Sequence, residues 1–139
     1  MDIKCHLSAI LAVSLLLSGC AGDQTSVNRN ARHAAARLEK IHFDPNTRPL
    51  TADNIRQTAK FLDQFYELGK KDRAEGLSQA QAQQRVASFS AATSGPFAAA
   101  SQKTRILSQD YSAERPEKQS QILLESATAT YWDGYLGRP

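Results

Sequence analysis

Apolar positions recur along this chain at helical spacing. Val27, Ala31, Ala34, Leu38 and Ile41 are separated by steps of four, three, four and three, which sets them on one stripe of a helix. Asp44-Pro45 closes the stripe, because a residue before proline avoids the helical backbone region. After a loop at 46–49, Thr51 is a good N-cap, and Ile55, Ala59, Leu62, Tyr66 and Gly69 mark a longer helix. Phe61, Phe65 and Leu68 widen its apolar side, so Phe61, Leu62, Phe65 and Tyr66 are expected near the centre of the core. Glu67 and Lys71 stand four apart in the favourable order. Residues 70–73, Lys-Lys-Asp-Arg, read as a solvated final turn, and Gly76 as its left-handed cap. Ser78 with Gln81 makes a capping box, and Ala82, Val86 and Phe89 supply the narrow stripe of a third helix. Ser94-Gly95-Pro96 breaks it. Segment 97–111 is mixed: Ala100, Ile106 and Leu107 fit a helix, while the serines and threonine weaken it. Pro116 suits a first helical turn, followed by Ile122, Leu123, Ala127 and Tyr131. No segment sustains a period of two. The expectation is an all-α fold, a small single-domain bundle of about four helices.

The apolar run at 7–17 is different. Its eleven residues follow Lys4 and precede Ser18-Gly19-Cys20. A bilayer span needs about 20 residues, and a run of about 10–14 suits the core of a signal peptide better. Leu17-Ser18-Gly19-Cys20 resembles the lipobox of bacterial lipoproteins, where the cysteine thiol takes a diacylglyceryl group and cleavage leaves that cysteine first. Small residues fit the peptidase, and only a thiolate supplies the nucleophile for thioether formation. The competing reading is an uncleaved anchor, since no Lys, Arg, Asp or Glu falls between Cys5 and Gly22. The expected organisation is a removed signal peptide at 1–19, lipidated Cys20 with a tether at 20–28, and a helical domain at 29–139. Cys5 would leave with the signal and Cys20 would be acylated, so no disulfide is expected. Two or more acyl chains give stable anchoring. Ala21 stands where an aspartate would resemble the inner-membrane retention signal of enterobacterial lipoproteins, which favours the outer membrane.

Composition narrows the function classes. Hydrophobic residues make up 41% of the 139, and mean hydropathy is −0.47, as for a globular body rather than a polytopic membrane protein. The net charge of +3 comes from 17 basic and 14 acidic residues, too balanced for the concentrated basic face of a nucleic-acid binder. There is no G-x-S-x-G elbow and no phosphate-binding glycine loop. His33 and His42 are nine apart on one predicted helix, so they point to opposite sides and cannot share a metal. Asp63, Glu67, Asp72 and Glu75 read as ordinary helix surface. No catalytic, cofactor-binding or metal-binding residue is expected. Arg29, His33, Arg37 and Lys40 share another face of the first helix, either solvated or, beside a membrane, facing anionic head groups.

The sequence also echoes itself. "YELGKKDR" at 66–73 and "YWDGYLGR" at 131–138 share a tyrosine, a glycine three residues on and an arginine seven on. Tyrosine and glycine at that spacing lie on one helix face, so each glycine could admit a neighbouring backbone. A mid-helix glycine costs about 1 kcal/mol against alanine, which suggests a compensating close contact. The alternative is a recognition patch: Tyr131, Trp132 and Tyr135 crowd together and could anchor a partner.

With the lipobox, "FYELGKKDRAEGLSQAQAQQRVASF" and "TYWDGYLGR" in view, the chain resembles the entry-exclusion lipoproteins of small colicin-type plasmids and their enterobacterial relatives. The similarity covers 54–89 and 127–138. It implies an outer-membrane-anchored, non-enzymatic protein that reduces entry of a related plasmid into a cell already holding one. The implied partners are the membrane, through acyl chains on Cys20, and an envelope or DNA-transfer protein, with no direct nucleic-acid binding and no cofactor. The same anchor without the resemblance would suit a structural or adaptor lipoprotein of the envelope. An enzyme or an inhibitor using the loop at 90–96 is the third reading.

Overall fold

The computed structural model describes residues 25–41, 51–91, 95–106, 109–112 and 115–139. The expected signal peptide, Cys20, His42, Asp44-Pro45 and the loop at 46–49 lie outside the described residues. Four helices form the body: α1 (Ser26–Glu39), α2 (Thr51–Ala74), α3 (Gln79–Ala91) and α4 (Pro116–Leu136). Between α3 and α4 come a single 3-10 turn (Ala99–Ser101) and a hairpin of β1 (Lys103–Ile106) with β2 (Gln109–Ser112). The strands are antiparallel, with Lys103 opposite Ser112 and Ile106 opposite Gln109. The fold is the all-α bundle, and the hairpin occupies the segment whose helical signals were mixed. Four-residue strands are too short to write a period of two into the sequence.

Local signals set most boundaries. The Thr25 hydroxyl accepts a hydrogen bond from the Asn28 amide at 3.2 Å and caps α1. Residues 26–28, expected in the tether, therefore form the first helical turn, and Ser26 and Val27 are buried. The helical body starts at Ser26, one residue before the first position of the apolar stripe and three before the expected domain boundary at 29. After α2, Gly76 adopts φ +79°, a left-handed conformation open to glycine, and the Leu77 amide closes on the Asp72 carbonyl at 3.0 Å. The capping box of α3 is made on both sides: the Ser78 amide donates to Gln81 Oε1 at 2.8 Å, and the Gln81 amide to Ser78 Oγ at 3.4 Å. Towards the end of α2 the surface ion pairs are Glu67–Lys70 at 2.8 Å and Lys71–Glu75 at 3.8 Å, in place of the expected Glu67–Lys71. Both are exposed pairs, worth at most about 1 kcal/mol.

Helices α2 and α4 run parallel, because Tyr131 reaches Asp72 while Tyr135, one turn on, reaches Leu77. Helix α1 runs against α4: Ser26 bonds Arg138, Asn30 bonds Thr130 and Asp133, and Arg37 bonds Glu125. The start of α1, the ends of α2 and α4 and the start of α3 therefore gather at one end of the bundle. Leu62, with no exposed surface, centres the core with Val27, Ala31 and Ala127, and Phe61, Phe65 and Tyr66 pack around it as expected. The alanines of α1 let it approach closely; Ala34 joins Ile41 and Ile122 in a second cluster. The connection to α4 is pinned by Gln102, buried, which donates to the Pro96 carbonyl at 2.7 Å and accepts from Gln119 at 2.9 Å. No helix among the described residues is long and apolar enough to cross a membrane.

Candidate functional site

The two echoed motifs meet each other. A Cβ built on Gly69 would run into the Tyr131 carbonyl oxygen and come within 2.7 Å of the Tyr135 nitrogen. A Cβ on Gly134 would run into the Tyr66 carbonyl, with its carbon at 2.9 Å. The contact is reciprocal: each glycine lies on the backbone of the other motif's tyrosine. Close approach of two backbones is thus the compensation for two helical glycines.

Polar groups lock this seam. Asp72 is only 1% exposed and accepts from the Tyr131 hydroxyl at 2.8 Å, Arg85 Nε at 3.0 Å and Arg85 Nη2 at 3.2 Å. The reading of Asp72 as helix surface is therefore corrected. It continues the line Thr58, Leu62, Phe65, Gly69, Asp72, whose steps of four, three, four and three were visible in the sequence. A carboxylate at that depth needs charged and hydrogen-bonded partners, and three donors provide them. Burial first, and the bond to Asp72 second, hold the Tyr131 phenol well above its ordinary pKa. On α4, Asp133 accepts from Asn30 at 2.9 Å and from Arg138 at 3.2 Å. The buried hydroxyls of Ser126 and Thr130 donate one turn back along their own helix.

Tyr131 and Tyr135 are consequently core residues, and the recognition patch proposed for them is withdrawn. Tyr131 stacks on Tyr135 with ring centres 6.3 Å apart and meets Phe89 edge-on at 5.8 Å. The Tyr135 hydroxyl donates to the Leu77 carbonyl at 2.6 Å, and the Arg73 guanidinium lies over its ring at 5.3 Å. Trp132 is the member of the trio left at the surface. Half-buried, it leans edge-on against both tyrosines and lines an open groove of about 510 Å³ with Gln79, Gln83, Val86, Leu136 and Arg138. Leu136 is 52% exposed, the one large hydrophobic side chain so exposed among the described residues.

Other sequence-level candidates are scattered. His33 is exposed on α1 with Arg29, Arg37 and Lys40. Arg37 bonds Glu125 at 2.6 Å and lowers that carboxyl's pKa, so this face is partly committed within the chain. Asp63, Glu67 and Glu75 are exposed. Among the described residues no three of His, Cys, Asp and Glu are grouped to hold a metal ion. Asp72 is engaged by Arg85 and Tyr131, and its near-complete burial leaves it a fold-making carboxylate. No family model, curated protein or solved structure matches this chain.

Proposed function

We propose that the chain is a lipoprotein held at the outer membrane by acyl chains on Cys20, and that it limits entry of related plasmid DNA by binding or occluding a surface component of DNA transfer. The observation that carries this reading is the tetrapeptide Leu17-Ser18-Gly19-Cys20 at the end of an eleven-residue apolar run. The resemblance of 54–89 and 127–138 to entry-exclusion lipoproteins adds the biological role. Two features of the helical body are compatible with it. Helix α1 begins at Ser26, so a short linker would keep the body close to an anchored Cys20. Occlusion also asks for a stable shape rather than a reactive group, and the locked α2–α4 seam supplies one.

The test has two arms. The N-terminal peptide of the purified protein should have the mass of an acylated Cys20; an unmodified N-terminus elsewhere would contradict the anchor. Recipients expressing the protein should take up a related mobilisable plasmid less often than empty recipients, and Cys20→Ser should lose most of that effect. Equal uptake with and without the protein, at matched expression and across several related plasmids, would replace this reading with that of an envelope adaptor.

A further inference from the structure

Several features converge on the end of the bundle where α1 begins. Ser26, the first residue of α1, donates its hydroxyl to the Arg138 carbonyl at 3.3 Å. Arg138 also lines the groove that carries Trp132 and Leu136. Cys20 precedes Thr25 by five residues, and five residues span at most about 18 Å when fully extended. A bilayer holding Cys20 is therefore within a short reach of this groove and of no other apolar opening described above.

The chemistry of the face fits that neighbour. Leu136 and Trp132 offer an aliphatic side chain beside an indole, the pairing that settles at the boundary between acyl chains and head groups. Arg138 lines the groove beside them, and Arg29, Lys70, Lys71 and Arg73 are further exposed cations of the helix segments that gather at this end. The carboxylates of the same end are fewer, and two of them, Asp72 and Asp133, are buried against Arg85 and Arg138. Glu67 and Glu75 remain exposed, each beside a lysine. Lys70, Lys71 and Arg138 are thereby paired, and Arg29 and Arg73 carry the positive surplus that contact with phosphate head groups requires.

We propose that this end of the bundle rests on an anionic phospholipid surface, with Leu136 and Trp132 entering the interface and the flanking cations meeting phosphates. The inference rests on the anchoring of Cys20 proposed above, and goes beyond it by fixing which face of the domain meets the membrane. The opposite end, with the β1–β2 hairpin, then points away from the bilayer.

Trp132 is the only tryptophan in the chain, so its fluorescence reports this position alone. Cys20 is the only thiol in 20–139 and can be coupled to a maleimide-headgroup lipid in vesicles. That coupling supplies the tether whether or not cells acylate Cys20, so failure here is distinct from failure of the anchor reading, which the N-terminal mass decides. With brominated acyl chains and phosphatidylglycerol in the vesicles, the tethered protein should show a blue-shifted and quenched Trp132. Leu136→Glu should abolish the quenching while the helical circular-dichroism signal persists. Vesicles of phosphatidylcholine alone, or high salt, should weaken it. An unquenched Trp132 in a tethered, helical protein would overturn the proposal. So would quenching that Leu136→Glu leaves unchanged, and a Trp132 buried only when a protein partner is added would move the face from lipid to protein.

Discussion

Helices α2 and α4 meet along a line with no room for a methyl group, whereas α3 rests on the same body through one fully buried residue, Ala82. The seam joins backbone to backbone and is locked by the bond from the Tyr131 hydroxyl to Asp72. Helix α3 is held by its capping box, by Arg85 reaching Asp72, and by Val86 and Phe89 at the edge of the aromatic cluster. A seam of this kind has one solution, because neither helix can slide without driving a carbonyl into a glycine. A helix laid on by side-chain edges can lift and return. Stability should therefore be uneven, highest along α2–α4 and lowest along α3.

The largest effect should come from adding one methyl at the seam. Gly134→Ala ought to destabilise the protein by about 3 kcal/mol or more in urea unfolding, since its Cβ meets backbone rather than a movable side chain. The sign is the informative part. Helix propensity alone would make the same change stabilising by about 1 kcal/mol, and that result would remove the seam.

Tyr131→Phe should come next, at about 1.5 kcal/mol, because it deletes a hydrogen bond to a carboxylate without emptying the ring's site. It should also change the response to alkali. The phenol's folded pKa is raised above the unfolded value, so its contribution is complete below about pH 10 and is lost as pH rises beyond it. Wild-type stability should fall more steeply above that pH than that of the variant, measured by denaturant titration at a series of pH values. Ser78→Ala should be smallest, at about 1 kcal/mol from the lost cap, and should appear mainly as easier opening of α3.

Much of this was legible in the sequence where the cause is local. The stripe from Val27 to Ile41, the Ser78–Gln81 box, Pro116 at a helix start and Gly76 as a cap each depend on residues within a turn or two. The glycine echo announced a close approach between backbones, and the structure shows which two motifs approach each other. What the sequence hid depends on distant partners. Asp72 looks like any surface carboxylate until Arg85 and Tyr131 close on it, although its register with Leu62 and Gly69 was a sign. Tyr131 and Trp132 are adjacent aromatics with the same composition signal; only the helix rotation sends one to the core and leaves the other at the groove. The β1–β2 pair depends on pairing between two strands, which four-residue segments do not encode as a pattern.

Native-state hydrogen exchange on the purified protein tests the seam most directly. Amides at 66–73 and 131–136 should exchange only through global unfolding, with an opening free energy equal to that from denaturation. Amides at 79–91 should exchange through smaller openings that leave the seam protected. Exchange at the seam as fast as in α3, or α3 protected to the global limit, would contradict the division of this molecule into a locked pair of helices and a looser one laid against it.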